Sequence, residues 1–289
     1  MREADAPISR IAAVILTHNR VAELRRTLQH MLSLAAATAV VVVDNASTDD
    51  TAAMLATDFP QVRCVRLAVN IGAAARNAGV AYVDTPYVAF CDDDTWWADG
   101  ALERAVALLD AHPQVAVLCA RVLVGPEGRE DPTCAVMAAS PLPRDNLPGP
   151  ALLGFLAGAS VVRREAFLQA GGYEPRLFIG GEEGLLALDL AARGWRLVYA
   201  AALTVHHHPS SQRDSARRRK LLLRNALWIC WMRMPAGMAA YLSWRLLRAA
   251  RRDIRMAGLR AALRGLPWTL TRRHVVPQDV ARWYYALHS

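Results

Sequence analysis

The stretch Tyr87–Trp97, YVAFCDDDTWW, places three adjacent carboxylates directly after an apolar run typical of a buried strand. On an extended chain Asp92 and Asp94 point to one side and Asp93 to the other. Because like charges repel, we expect a cation beside them, and carboxylate pairs suit Mg²⁺ or Mn²⁺. The alternative is an acidic turn in water, which the two tryptophans that follow disfavour.

Strand-like runs and helical patterns alternate on both sides of this stretch. Continuous Val and Ile runs separated by helices predict a parallel sheet with helices on both faces. We therefore expect an α/β, Rossmann-like fold with a mostly parallel central sheet. The other predicted strands are Ile11–Leu16, Ala39–Val43, Val62–Leu67, Val115–Val124 and Trp195–Tyr199, and the predicted helices are Val21 to about Leu34, Asp49–Leu55, about Gly72–Tyr82, Ala101–Ala111 and a basic segment from about Ser215 onward.

Two local signals refine this outline. Ser47 or Thr48 is the expected N-cap of the second helix, since a short hydroxyl side chain can accept from the first free backbone N–H groups. Residues 125–150 are rich in Pro and Gly, and we expect a loop there.

Charge is divided unevenly along the chain. Residues 213–289 carry 17 basic and 3 acidic side chains, whereas residues 1–212 carry 17 basic and 23 acidic ones. The sequence has no uncharged apolar run of about 18 residues, the length of a membrane span, and its first ten residues lack the apolar part of a signal peptide. Five scattered cysteines favour reduced thiols. We expect a cytoplasmic protein, with peripheral contact at the inner membrane surface as an alternative for the basic segment.

Polar residues follow three of the predicted strands. The first strand leads to Thr17, Asn19 and Arg20, the second to Asp44 and Asn45, and the fourth to the three aspartates. In open α/β sheets, ligands bind outside the carboxyl ends of the strands. The three groups therefore predict one crevice, although each group alone also fits a turn or a helix cap.

The segment Asn70–Gly79, NIGAAARNAG, adds a fourth element to this crevice. Gly72 leaves room for another backbone or for a ligand. Arg76, one turn into the helix, suits a phosphate; the alternative is a solvated surface arginine. The spacing is neither that of a dinucleotide-binding turn nor that of a P-loop.

Together these motifs resemble glycosyltransferase family 2, whose members have the GT-A fold. The resemblance covers about residues 10–215 and includes a D-x-D motif at Asp92–Asp94. Further on, GASVVRREAF and GGYEPRLFIGGEE resemble the acceptor side of the family, and TVHHH resembles its strand-end histidine. The resemblance implies a GT-A catalytic domain over residues 1–212, with a nucleotide-sugar half at about 10–110 and an acceptor half at about 111–212, followed by a basic helical extension over 213–289.

The resemblance also implies roles for individual residues. Asp44 would bind the nucleotide base, and Asp92 and Asp94 would hold the ribose and a Mn²⁺ or Mg²⁺ ion on the diphosphate. The implied nucleotide-sugar contacts are Thr17, Asn19, Arg20, Asp44, Asn45, Gly72, Arg76, Asn77, Asp92 and Asp93; the implied metal ligands are Asp94, Asp92 and one of His206 and His208; the implied acceptor side comprises Gly158, Ala159, Ser160 and Trp97.

The implied reaction is an inverting transfer of a sugar from a nucleoside-diphosphate sugar to an acceptor hydroxyl, with a carboxylate as general base. Glu183 would be the base, with Glu182 as the alternative. The usual Glu-Asp pair of the family is Glu-Glu here, and the acidic residue that often follows is Leu185. Without the resemblance, the pair fits acidic residues at a helix N-terminus, where the helix dipole favours them.

Substrates and other functions are less closely defined. UDP or dTDP is expected more than GDP, and the acceptor is expected to be a glycan or a lipid-linked glycan. A sugar-1-phosphate nucleotidyltransferase would want a Gly-rich basic loop after the first strand, and THNRVAEL is not one. A non-catalytic nucleotide-sugar or membrane-surface binding protein would want a broken D-x-D motif.

The basic extension has two interpretations. Arg245, Arg248, Arg252 and Arg255 fall on one face of a predicted helix, and a basic helix with tryptophans suits an anionic membrane surface. The alternative, which we favour, is a helical cap that packs its apolar face on the body. No nucleic-acid-binding module is recognisable, so we expect no nucleic-acid partner.

Overall fold

One sheet runs through the part of the chain that the computed structural model describes, residues 10–34, 38–209 and 215–288. Its first four strands come from the alternating half of the sequence, as predicted. The strands are β1 Ile11–Thr17, β2 Ala39–Asp44, β3 Arg63–Arg66, β4 Tyr87–Asp92, β5 Thr95–Trp97, β6 Val115–Val124, β7 Arg129–Glu130, β8 Ala151–Leu152, β9 Ser160–Arg163 and β10 Arg196–His207.

The sheet is mostly parallel. Its main path has the order β3-β2-β1-β4-β9-β6-β10-β5, and only β9 and β5 run against the other six strands of that path. The short strands β7 and β8 pair with β6 and β10. The predicted α/β class is therefore confirmed.

Helices flank the sheet and continue into the C-terminal extension. Three short 3-10 turns, Gly72–Ala75, Ala157–Ala159 and Pro175–Leu177, lie at the crevice edge of the sheet or near it. The α-helices are α1 Val21–Leu32, α2 Thr51–Asp58, α3 Arg76–Tyr82, α4 Ala101–Ala111, α5 Pro132–Ala138, α6 Arg164–Gln169, α7 Glu182–Ala191, α8 Ser215–Arg233, α9 Ala236–Ala249, α10 Arg252–Arg264, α11 Leu266–Thr271 and α12 Gln278–His288.

Strand register brings the polar strand ends together. Thr17 at the end of β1 lies opposite Asp44 at the end of β2, and Leu16 lies opposite Asp92 at the end of β4. Because all three strands are parallel, their polar ends meet at one edge of the sheet.

Three local expectations were wrong. Residues 125–150 are not all loop, because they contain β7 and α5. The strand predicted at Trp195–Tyr199 continues to His207. Neither Ser47 nor Thr48 caps α2; the carboxylate of Asp49 instead accepts from the backbone N–H of Thr51, 3.1 Å away.

The buried apolar side chains form two cores. The main core surrounds the sheet, and Phe90 and Trp97 are among its fully buried members. The second core joins α7 to the C-terminal helices, since it contains Leu188 of α7 together with Leu227 and Trp228 of α8. The extension thus packs on the body through its apolar face, which is the interpretation we favoured. Among the described residues, no helix combines the length and apolarity that a bilayer span requires.

Candidate functional site

The turns that follow β1 and β2 are locked together by one side chain. Asn19, with a positive φ of 55°, donates its backbone N–H to the Ser47 hydroxyl at 3.0 Å. Its side-chain carbonyl accepts from the backbone N–H of Thr48 at 2.7 Å. The amide oxygen of Asn19 therefore holds the two turns together. Asn19, a predicted contact of the nucleotide sugar, thus has a structural role.

Asp44 lies at the floor of the crevice and is fully buried. Its Oδ1 accepts from the backbone N–H of Ser47 at 2.8 Å. Its Oδ2 lies 3.4 Å from Nε of Arg66 and has no hydrogen-bond partner. A buried oxygen without a hydrogen bond costs about 1–3 kcal/mol, so a ligand N–H would be favoured there. Sequence reasoning missed Arg66, which the parallel pairing of β2 and β3 places beside this carboxylate.

Asn45 and Gly72 join the crevice to a later loop. The amide group of Asn45 donates to the side chain of Asn70 at 2.9 Å and to the carbonyl of Gly72 at 3.1 Å. Gly72 has φ 67°, and a Cβ atom there would lie 1.9 Å from the carbonyl oxygen of Phe178. Of the two partners expected to approach this glycine, the structure supplies the backbone of another segment.

Arg20 neutralises two of the three aspartates, Asp93 and Asp94. Arg20 donates to Asp93 and Asp94, at 3.0 Å in each case, and the Thr17 hydroxyl donates to Asp93 at 3.1 Å. Burial raises the pKa of Asp93 to about 7 even though Arg20 opposes the shift. Asp93 and Asp94 thus share Arg20, whereas Asp92 pairs with Arg76. The expectation that Asp92 and Asp94 point to one side is wrong, because residues 93 and 94 form a turn rather than extended chain.

Asp92 faces the open side of the crevice. Its side chain is 45% exposed and forms an ion pair with Arg76, which is only 3% exposed. The solvated alternative for Arg76 is therefore wrong. A Cβ atom at Gly158 would lie 2.5 Å from Oδ2 of Asp92, so the absence of a side chain at Gly158 makes room for this carboxylate. Gly158 is the member of the predicted acceptor side that reaches the crevice.

The histidine that reaches the aspartates is the one the sequence prediction left out. His207 Nε2 lies 3.6 Å from Oδ1 of Asp94. His206 and His208 instead pack on the ring of Trp96, with centroids 5.9 and 4.7 Å from it. Side chains alternate along β10, so His206 and His208 share one side and His207 takes the other. The histidine side chain nearest the D-x-D motif is therefore that of His207, and a metal or diphosphate contact of His206 or His208 stays a prediction.

Four other predicted contacts serve the packing of the protein. Trp97 is fully buried in the main core, and Ala159 and Ser160 are also buried, the Ser160 hydroxyl donating to the carbonyl of Ala157. Asn77 uses both ends of its amide on the backbone of Tyr173, at 2.8 and 2.9 Å. In the structure these side chains pack in the protein interior or bind its backbone, and their assignment as substrate contacts stays a prediction.

The acidic pair stands at the first turn of α7, after Gly181 with φ 94°. The helix N-terminal interpretation is therefore geometrically right, but burial adds a second property. Glu182 is 4% exposed and its Oε2 has no hydrogen-bond partner; burial raises its pKa. Burial, followed by the charge of Glu182, raises the pKa of the partly exposed Glu183 to about 8.

Unpaired polar atoms concentrate around this crevice. In the part of the chain that is described, eight buried side-chain N or O atoms have no hydrogen-bond partner. Half of them belong to residues in the crevice or beside it, where the charges of Arg76, Glu182, Glu183 and Asp92 act on Tyr173. The four atoms are Asp44 Oδ2, Arg76 Nε, Tyr173 Oη and Glu182 Oε2. A concentration of such atoms is expected where a ligand, an ion or water binds.

Comparison with curated and solved proteins agrees with this geometry. The chain is 28% identical over 231 residues to the N-acetylglucosaminyl-diphospho-decaprenol L-rhamnosyltransferase of Mycobacterium tuberculosis, covering 68% of this chain and 75% of the relative. Among solved structures, S. aureus TarS 1-349 in complex with UDP-GlcNAc has a TM-score of 0.66 at 14% identity, covering 94% of this chain and 83% of that one. The mannosyltransferase PcManGT from Pyrobaculum calidifontis, in complex with GDP-Man and Mn²⁺, has a TM-score of 0.60 at 19% identity, covering 96% and 74%.

The family assignment rests on the sequence itself. Residues 12–170, more than half of the chain, match the profile of the family described as "Glycosyl transferase family 2". That match decides against the nucleotidyltransferase and non-catalytic interpretations, and the structural likeness confirms the GT-A fold. The protein is a glycosyltransferase that belongs to glycosyl transferase family 2.

Proposed function

We propose that the protein transfers a sugar, with inversion and with a divalent metal, from a nucleoside-diphosphate sugar to a hydroxyl of a lipid-linked glycan. The observation that carries the proposal is the presence of two acidic groups at one crevice. On one side stand the strand-end aspartates, and on the other stands Glu183, whose pKa is raised to about 8. The M. tuberculosis relative, whose name specifies a diphospho-decaprenol acceptor, supports a lipid-linked acceptor here.

The donor nucleotide is proposed to bind at the ends of β1 and β2. Oδ2 of Asp44, which has no hydrogen-bond partner, would accept the ring N–H of uracil or thymine. Guanine also has a ring N–H, but its exocyclic amino group would need a second acceptor, so we favour UDP or dTDP over GDP. Arg66, next to Asp44, would limit this carboxylate to one ligand hydrogen bond. Thr17, Arg20, Asp92 and Asp93 complete the proposed donor side.

A divalent metal fits the residues at the end of β4. The carboxylate of Asp94 and the imidazole of His207 lie 3.6 Å apart, which suits two donors facing one ion, and the exposed Asp92 carboxylate is adjacent in sequence. Among the described residues, no three such side chains converge on one point. Mg²⁺ and Mn²⁺ sites often combine one or two protein carboxylates with substrate phosphates and water. We propose Asp94 and His207 as the protein ligands, with Mn²⁺ favoured by the imidazole; when bound, the ion would neutralise the departing diphosphate.

Glu183 is proposed as the general base. Its carboxylate takes the proton of the acceptor hydroxyl while that oxygen attacks the anomeric carbon. The bond from this carbon to the diphosphate oxygen breaks, and the nucleoside diphosphate leaves with the electron pair. One direct displacement inverts the configuration. The raised pKa suits this role because a base is most effective when its pKa is near the working pH.

The acceptor's lipid would be met at a membrane surface. Tyr241 and Trp244 of α9 are 41% and 54% exposed, and Tyr285 of α12 packs 5.9 Å from Tyr241. Arg245 and Arg248 lie over the Tyr241 and Trp244 rings, at 5.8 and 5.3 Å. Aromatic rings beside arginines suit the headgroup region of an anionic membrane. We propose that this aromatic patch, which consists of these five residues, docks the cytoplasmic protein on the inner membrane surface without a nucleic-acid partner.

The transfer is tested with purified protein, Mn²⁺, candidate UDP- and dTDP-sugars and a polyprenyl-diphosphate-linked N-acetylglucosamine acceptor. The expected product is the acceptor extended by one sugar, formed by wild type and lost in Glu183→Gln. Transfer to the free sugar but not to the lipid-linked one would overturn the acceptor proposal. No transfer with any donor would overturn the function.

Membrane docking is tested by co-sedimentation with vesicles. Binding to vesicles that contain phosphatidylglycerol, but not to pure phosphatidylcholine, is expected, and Trp244→Ala should weaken it. Val136→Ala, which removes an exposed apolar residue of the body, is the matched control. Equal loss in both variants would count against the patch.

A further inference from the structure

The segment Arg176–Gly181, here called the base loop, leads directly into the acidic pair of α7. Its backbone is irregular. Phe178, which is not a glycine, has φ 65°, and Gly180 and Gly181 have φ 86° and 94°. A left-handed conformation at a bulky residue persists only where surrounding contacts hold it. The direction in which the acidic pair points therefore depends on what holds this loop.

Half of the hydrogen bonds that hold the loop carbonyls come from one asparagine of the C-terminal extension. Asn225 of α8 is fully buried. Its side-chain amide donates to the carbonyl oxygens of Leu177, Ile179 and Gly180, at 2.9, 3.2 and 2.5 Å. Three carbonyls of one irregular loop thus converge on one NH2 group, and because it has two N–H bonds, one of these is shared between two carbonyls. Asn225 lies 45 to 48 positions further along the chain than these carbonyls.

Neighbouring residues bind the remaining carbonyl oxygens of the base loop. Arg224 of α8 donates to the carbonyls of Arg176 and Leu177, at 3.0 Å each, and its Nε donates to the side-chain oxygen of Asn225 at 2.9 Å. The carbonyl of Phe178 accepts from the backbone N–H of Ala73 at 2.7 Å. Every carbonyl from residue 176 to residue 180 is therefore bound, and four of the five are bound by α8.

Close packing reinforces these hydrogen bonds. A Cβ atom at Gly180 would lie 2.5 Å from Cδ2 of Leu222, and one at Gly181 would lie 3.0 Å from Cδ1 of Ile229. Both neighbours belong to α8. The helix therefore sits directly against the loop, with no space for a side chain between them.

We propose that Asn225 is a positioning residue for the transfer reaction: through its hydrogen bonds to the base loop, α8 fixes the acidic pair of α7 against the crevice. The proposal rests on the proposed function, in which Glu183 is the base. It makes the C-terminal extension a part of the active-site framework. Because Ala73 grips the same loop from the Gly72 turn, α8 also joins the donor side of the crevice to the base side.

The experiment compares Asn225→Leu, which keeps the volume but loses the amide, with Leu242→Ala in α9. Leu242 is buried in the second core and belongs to a different helix of the extension, so its variant controls for a general loss of stability. Asn225→Ser, which keeps one donor, serves if the leucine variant does not fold. For each variant we measure kcat, the KM of the donor sugar and hydrogen–deuterium exchange over residues 176–185.

Asn225→Leu should lower kcat by about 10–100-fold while the donor KM changes less than about threefold, because positioning losses of this size are common when a group is displaced by about 1 Å. Exchange of the base loop should accelerate in this variant and not in Leu242→Ala, and Asn225→Ser should be intermediate. An unchanged kcat with a folded Asn225→Leu protein, or an equal loss in Leu242→Ala, would overturn the proposal.

The exchange arm separates this proposal from the proposed function. If wild type transfers no sugar but the base loop still loosens only in the Asn225 variants, the function fails and the structural clamp stands. If the loop does not loosen, the clamp is wrong whatever the activity.

Discussion

The donor side and the base side of the crevice are held in different ways. On the donor side, residues at neighbouring strand ends hydrogen-bond to one another. Asn19 binds Ser47 and Thr48. Arg20 binds Asp93 and Asp94. On the base side, the irregular base loop is held by Arg224 and Asn225 of α8, which lie more than 40 residues further along the chain. The donor side is thus held by contacts among the strand ends of the sheet, whereas the base side is held by contacts from both the sheet and the C-terminal extension.

The largest effect on activity is expected from removing the proposed general base, Glu183. Glu183→Gln should lower kcat by about 10²–10⁴-fold, the usual contribution of a general base, while binding of the donor nucleotide is kept. Steady-state kinetics and nucleotide titration check this. Glu182→Gln is the matched control, since Glu182 is nearer the protein interior. A larger kcat loss in Glu182→Gln would exchange the two roles.

The next largest effect is expected from breaking the ion pair between the extension and α7, here called the tether. Arg233 of α8 donates to both oxygens of Asp189 of α7, at 2.5 and 2.9 Å, and the side chains are only 10% and 14% exposed. Asp189→Asn leaves the guanidinium without its counter-charge and should cost about 3–5 kcal/mol of unfolding free energy. Denaturant unfolding measures this.

An exposed ion pair provides the contrast for the tether. Glu127→Gln, which removes the partner of Arg129, should have little effect because both side chains are largely in water. Equal losses in the two variants would mean that the Asp189 pair is not a specific tether.

On the donor side, two histidine variants test the proposal that His207 is a metal ligand. His207→Ala should weaken Mn²⁺-dependent nucleotide binding by at least about 10–100-fold, the range found even for outer-shell partners of metal ligands. His208→Ala should leave it nearly unchanged, because His208 packs on Trp96. Isothermal titration with Mn²⁺ and UDP distinguishes the two. The reverse order of losses would return the metal to His208.

The smallest effect is a pH dependence of the base side. Since the base must be deprotonated and its pKa is raised to about 8, kcat/KM should rise with pH and level off above about 8. The same raised pKa stabilises the fold fully below the ordinary glutamate value, and this contribution is lost as pH rises through about 8. Glu183→Gln should therefore show a flatter dependence of unfolding free energy on pH between about 4.5 and 8. An identical dependence in wild type and variant would contradict the raised pKa.

The same contrast decides how far the sequence could predict the molecule. The alternating strands and helices up to β6 were predictable because each has its own period and its own stop signals, and α4 and β6 match their predicted bounds. The crevice edge was predictable because parallel strands end on the same side. The family resemblance was confirmed by the profile match over residues 12–170.

What the sequence could not supply depends on contacts between distant segments. Choosing among three adjacent histidines needs the side to which β10 turns each ring, and the pairing of β10 with β5 and β6 sets that. Trp97 follows the D-x-D motif closely but is buried in the main core, which its position in the sequence did not show. Asn225 lies in a basic, apolar helix and carries no motif, so its contact with the base loop required the fold.

The most direct test of the account is thermal unfolding with UDP, dTDP and GDP, each with and without Mn²⁺. At a hundredfold over the dissociation constant a ligand adds about 2.7 kcal/mol of stability, which shifts the transition visibly. The account predicts stabilisation by UDP or dTDP that requires Mn²⁺ and is lost in Asp94→Asn. No stabilisation by any nucleotide, or the same stabilisation in Asp94→Asn, would contradict the proposed donor site.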